Sequence, residues 1–166
     1  FDPDDTTVEG LYRLNHADSL TAFREAATYF VAPLQNLFAA DSAGNIGFVA
    51  AGRMPIRQLG HGHLPSSGRD SSGDWRGYVG PEHWPQTWNP SRGLIANANN
   101  RLRPHAEAPT FQYAWYWPAS HRVARIYEHF SEARLYDIEG SVRLQMDNRS
   151  VAAKALVPLL ANIQPK

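Results

Sequence analysis

Asn89-Pro90-Ser91-Arg92-Gly93-Leu94-Ile95-Ala96-Asn97-Ala98-Asn99-Asn100 is the stretch from which the rest of the chain is read. Leu94, Ile95 and Ala96 read as a short buried strand, after which the chain meets three asparagines separated by one alanine. An apolar run ending in amides is an unusual way to finish a strand. Successive strand side chains face opposite ways, so Asn97 and Asn99 would share a face on which an amide N–H can serve as a fixed hydrogen-bond donor. The competing reading is a turn, because asparagine bonds its own backbone and tolerates left-handed geometry.

Upstream, Thr6 to Arg13 reads as a short helix, and Asp18 or Ser19 offers an N-cap to a second one. Leu20, Phe23, Ala27 and Phe30 recur at helical spacing, which predicts an amphipathic helix running through Ala32 until Pro33 stops it. Leu34 to Ala40 and Ile46 to Ala51 read as the two strands of a hairpin, with Ser42-Ala43-Gly44-Asn45 as its turn. From Gly52 to Arg92 periodicity is weak and Gly, Pro, Ser and Trp are frequent, so a long ordered loop region is expected. Trp75, Trp84 and Trp88 would cover a sheet edge there. Downstream, Arg101 to Ala108 reads as a polar connection, and Phe111 to Trp117 as an aromatic cluster for core or channel packing. Ser120 then caps a helix whose apolar stripe is Val123, Ile126, Tyr127, Phe130 and Ala133. Arg122 lies in its first turn, where a cation opposes the helix dipole, and that unfavourable placement hints at a task.

Composition bounds the function. At 43% hydrophobic and 19% charged, 166 residues suffice for a real core in a single domain. Zero net charge argues against nucleic acid or an anionic membrane as partner. Apolar runs such as Ala155 to Ala161 fall far below the ~20 residues of a spanning helix. The lack of cysteine excludes disulfides, thiol catalysis and cysteine-ligated zinc. His61-Gly62-His63 with His83 is a thin metal motif, since no carboxylate or thiolate completes it. Phe1-Asp-Pro-Asp-Asp5 reads as an interior start, so residues 1–166 are expected to form one partial domain of a longer protein.

Four stretches in order, Asp41 to Phe48, Ala51 to Arg57, Gly73 to Gly77 with Pro81, and Asn89 to Asn100, resemble the penicillin acylase family of N-terminal nucleophile hydrolases. The resemblance extends from about Thr6 to about Pro158 and takes in Gln145-Met-Asp147 and Ser150 to Leu160, a family segment that starts a further helix. It implies an α+β fold, part of a four-layer αββα sandwich with antiparallel sheets. It also implies hydrolysis of the side-chain amide of a β-lactam or an acyl-homoserine lactone. Asn99 would be the oxyanion-hole donor and Arg122 would position it, with Asn97 as the alternative, substrate-facing amide. Gln35 precedes the asparagine of the first strand and would line the acyl pocket, making that pocket more polar than one built for phenylacetyl.

The attacking serine of the family sits at a new N-terminus freed by self-cleavage of a precursor, so the chain alone is expected to be inactive. Its partners would be a small-molecule amide, the remainder of the β-subunit and the α-subunit from the same precursor. Relatives are exported, which implies a periplasmic or extracellular location. Family members carry a structural calcium ion, but the positions where a family acid would be expected are Thr110 and Phe111, so the calcium is doubtful and no metal or other cofactor is expected. Two other readings stay open: a non-catalytic binding module with Trp75, Trp84, Trp88, Trp115 and Trp117 along a groove, and a degenerate relative without a nucleophile.

Overall fold

The computed structural model describes residues 3–59, 62–102, 114, 116–132, 137–161 and 163. The chain forms two compact units, one of Phe1–Ile95 and Leu102–Trp115, the other of Ala96–Arg101 and Tyr116–Lys166. Antiparallel sheets with packed helices make it α+β.

In the first unit, α1 (Thr7–Asn15) and α2 (Leu20–Ala27) pack together, and the Ser19 hydroxyl caps α2 by accepting the Ala22 N–H. The expected helix through Ala32 stops at Ala27 instead. Thr28, Tyr29 and Phe30 donate to Glu25, Ala26 and Ala27, three residues back, which tightens the chain into turns. Thr7 Oγ1 then captures the N–H groups of Val31 and Ala32 at 3.0 and 3.3 Å. This route buries Phe30 against Gly10, where a β-carbon would come within 2.9 Å of the ring.

The hairpin forms as read, with β1 (Gln35–Ala40) antiparallel to β2 (Ile46–Ala51) and Phe38 directly opposite Phe48. Its turn is closed by Asp41. One carboxylate oxygen accepts the N–H groups of Ala43 and Asn45, and the other accepts Asn45 Nδ2. These bonds hold the Asp41 carboxyl below the usual carboxylate range, the Asn45 side chain contributing most.

Residues 52–92 are not the long loop expected. They contribute β3 (Pro55–Arg57), paired with β4 (Trp75–Tyr78), and β5 (Gln86–Trp88), which adds to the free edge of β2. The sheet order β1-β2-β5 makes β2 central, so its continuous Ile-Gly-Phe-Val-Ala-Ala run is buried from Gly47 onward, as a strand covered on both faces requires. The core gathers Phe30, Phe48, Val49, Met54, Val79 and Trp84. Trp84 is therefore interior rather than a cover on the sheet edge, with its indole N–H bonded to the Val79 carbonyl at 3.2 Å. Trp88 packs half-buried on the same core, its ring so close to Gly47 that a β-carbon there would collide with it. Trp75 is exposed.

In the second unit, α3 (His121–Glu132) starts after Ser120, whose carbonyl accepts the Ala124 N–H. Val123 is buried, while Ile126, Tyr127 and Phe130 are half-buried; Ala133 lies outside the described residues. A helix that the sequence reading did not assign, α4 (Ile138–Gln145), is capped by Asp137, which accepts the Gly140 N–H at 2.6 Å. Ser150 caps α5 (Val151–Leu160) through the Ala153 N–H, and α5 packs on α3. Pro158 does not end α5 at its own position: the helix goes two residues further. No helix among the described residues is long and apolar enough to cross a membrane.

Candidate active site

The asparagine stretch is a loop, not a strand. Residues 94–97 join no ladder, and the Leu94 carbonyl accepts a bond from Arg92 Nε at 3.2 Å. Ile95 still packs on the core of the first unit, so the expectation of burial holds in part while that of strand pairing does not. Beyond it the chain turns. Asn97 Oδ1 accepts the Asn99 N–H at 2.8 Å, a side-chain-closed turn, and Asn100 Oδ1 accepts the Ala98 N–H at 3.1 Å. Asn99 stands at φ 60°, in the left-handed region that asparagine enters more readily than most residues.

The turn does not exhaust Asn99. Arg122 Nη2 donates to Asn99 Oδ1 at 2.9 Å and to the Ala98 carbonyl at 2.6 Å. A guanidinium carries donors and no acceptor, so the amide must face it with oxygen. Asn99 Nδ2 is thereby turned away from Arg122, and among the described residues it has no hydrogen-bond partner. The result is a directed N–H donor whose orientation is held by a permanent cation.

Arg125 competes with Arg122 for this place in the sequence, and the geometry separates them. Arg125 Nε and Nη2 grip both oxygens of Asp147, at 3.1 and 2.8 Å, and Nη1 reaches Glu128 at 2.9 Å. Asp147 also lies 3.0 Å from His129 Nε2. Its carboxyl is held far below the ordinary range, first by the bonds from Arg125 and then by that to His129. In the sequence Asp147 belongs to a helix-start motif, and nothing local marks it as the partner of a residue 22 positions earlier.

Asn97, Asn99 and Arg122 thus come together in one unit. Gln35 belongs to the other, exposed at the start of β1 and opposite Ala51. His61, Thr110, Phe111 and Trp115 lie outside the described residues, as do most of the polar connection and the aromatic cluster. Among the described residues no group of three or more His, Cys, Asp or Glu could hold a metal ion.

The family model described as Penicillin amidase matches residues 1–166. The chain belongs to the penicillin amidase family. Acyl-homoserine lactone acylase QuiP of Pseudomonas aeruginosa is 30% identical over 159 residues, which cover 95% of this chain and 18% of the relative. Penicillin G acylase of Escherichia coli is 40% identical over 93 residues, 55% of this chain and 11% of the relative. Among solved structures, a thermostable penicillin G acylase from Alcaligenes faecalis superimposes with a TM-score of 0.76 at 23% identity, over 99% of this chain and 30% of that one. The fold is therefore that of a penicillin G acylase segment, and the chain spans less than a fifth of the length of these curated relatives.

Proposed function

We propose that this chain is the oxyanion-binding segment of an amidase that cleaves the side-chain amide of an acyl-homoserine lactone or a β-lactam. The observation that carries the reading is the Arg122–Asn99 contact, with Asn99 Nδ2 left as an aimed donor. Amide hydrolysis passes through a tetrahedral intermediate whose oxygen gains a negative charge. A preorganised donor at that oxygen is worth ~3–4 kcal/mol, or ~10²–10³ in rate. In this scheme a serine freed at a new N-terminus attacks the carbonyl with its own α-amine taking the proton, Asn99 Nδ2 receives the oxyanion, collapse expels the amine with that proton, and water then cleaves the acyl-serine ester to release the acid and the free serine. The nucleophile comes from outside these residues, supplied by the same precursor along with the rest of the β-subunit and the α-subunit. The segment alone is inactive.

Gln35 and Asn97 are the proposed substrate-binding residues, Gln35 at the acyl group and Asn97 beside the oxyanion donor. The names of the relatives support both substrate classes, and the proposed site of action is periplasmic or extracellular. The test is a panel of acyl-homoserine lactones and β-lactam amides presented to the complete protein and to its Asn99→Ala variant. The expected result is turnover by the parent and a loss of about 10²-fold or more in kcat in the variant, with the fold retained. Equal turnover by both proteins removes the oxyanion role from Asn99, and failure to hydrolyse any amide while binding the panel favours a scaffold without chemistry.

A further inference from the structure

Arg122 has no carboxylate partner among the described residues; its guanidinium meets the Ala98 carbonyl and the Asn99 amide oxygen. Two neutral acceptors fix an exposed arginine with several rotatable bonds less firmly than a carboxylate would. Its aim therefore depends on where the first turn of α3 is held. That turn has a strong anchor three residues on. Residues three apart on a helix are neighbours on one face, about 4.5 Å along the axis. At this spacing from Arg122, Arg125 makes a two-pronged bond to Asp147.

Asp147 sits in the joint between α4 and α5, three residues before the Ser150 cap, with its own N–H bonded to the Leu144 carbonyl. Its Oδ1 also accepts the Arg149 N–H at 3.3 Å. The side chains of Arg125, Asp147 and His129 are 13%, 17% and 19% exposed, whereas the helix-surface pair Arg143–Glu139 is 69% and 86% exposed. Only the first group is sheltered enough for a geometrically rigid ion pair to matter. His129 Nε2 stands 3.1 Å from Arg125 Nη2 and 3.0 Å from Asp147 Oδ2, so it accepts from the arginine when neutral there and donates to the carboxylate when protonated there. The clamp is bonded in either state.

We propose that Arg125 and Asp147 are positioning residues for the Arg122–Asn99 pair: the clamp fixes α3 against the α4–α5 joint, so that Arg122 reaches the asparagine turn in one geometry. This rests on the oxyanion reading of Asn99. It adds a dependence that reading does not require, since Asn99 could act without Asp147 mattering to turnover.

The test is a double-mutant cycle on the complete enzyme with Asp147→Asn and Arg122→Met, alongside Asn99→Ala. Asp147→Asn is expected to lower kcat about 10-fold with KM changed less than about twofold, and to have almost no further effect on kcat once Arg122 is methionine. That non-additivity separates positioning from mere stabilisation, which would multiply the two losses. If Asp147→Asn does not fold, Arg125→Lys carries the test. It keeps the charge but gives up the planar fork, and a loss of about threefold with the same non-additivity is expected. Multiplicative losses, or a kcat untouched by the available clamp variant while Asn99→Ala remains impaired, overturn the positioning role and leave the oxyanion reading standing. A fully active Asn99→Ala overturns both.

Discussion

Asn89 and Asn99 both occupy left-handed backbone, at φ 45° and 60°, yet their amides are employed differently. Asn89 is used at both ends. Its Oδ1 accepts the Ile46 N–H and its Nδ2 donates to Asn45 Oδ1, each at 2.9 Å, while Asn45 Nδ2 passes the chain on to Asp41. A backbone N–H at one end and a carboxylate at the other leave this relay a single direction, and it ties the hairpin turn to the end of β5. Asn99 is used at one end only. Arg122 takes the oxygen, and the N–H₂ has no partner among the described residues. Position in the left-handed region marks an asparagine as suited to a turn; an amide bonded on one side marks it as suited to a ligand.

The sharpest way to break this contrast is to replace each asparagine by glycine, which accepts the same backbone without strain. Asn99→Gly in the complete enzyme is expected to cut kcat about 100-fold, with the thermal midpoint nearly unchanged. Asn89→Gly should do the opposite, leaving kcat of the folded enzyme within about twofold while lowering stability by about 1–3 kcal/mol, because a backbone N–H and an amide lose their partners. Kinetics and thermal melts on the two variants decide it. A stability loss at Asn99 with kcat preserved would make it a second structural turn. Alanine sharpens the comparison further. At each position Ala should be less stable than Gly by about 1–2 kcal/mol, from left-handed strain alone. A gap confined to one site would show that the other turn relaxes out of the left-handed region.

What the sequence disclosed is what short range decides. The Ser19 cap, the Asp41-to-Asn45 turn and the strands around it rest on residues within a few positions of one another. The misses are tertiary. β5 is three residues long and exists because β2 offers an edge some forty residues earlier. Beyond the end of α2 the chain is held by Thr7, a side chain more than twenty residues upstream, which takes the N–H groups of Val31 and Ala32. Leu94 to Ala96 has the composition of a strand but no ladder to join. The candidate site was legible as a set of residue types through family resemblance, yet spacing alone could not choose between Arg122 and Arg125. The choice is made by Asp147, which engages Arg125 and leaves Arg122 to the amide.

Acid offers the mildest probe of the two regions, because each contains a carboxylate held below its ordinary pKa. Asp41 is held mainly by its own turn, through Asn45 and then Ala43, with the Leu20 backbone adding the least, and Asp147 by Arg125 and His129. A carboxyl whose folded pKa is depressed adds stability that is present above its unfolded value, about 3.9, and is lost as pH falls through the folded value. Lowering the pH from about 5 toward 3 should therefore weaken both regions, with the Asp147 clamp yielding at lower pH than the Asp41 turn because its carboxyl is held further down. Asp41→Asn should flatten part of the acid dependence of the melting midpoint, and Asp147→Asn should leave that part in place. The reason for a difference is chemical. Neutral amide and backbone donors hold Asp41, whereas a guanidinium fork keeps its charge across the whole range, so protonating Asp147 must give up an ion pair that the turn does not contain. A common midpoint shift for the two variants would mean that the two carboxylates titrate into a single unfolding event and that the contrast between them does not extend to stability.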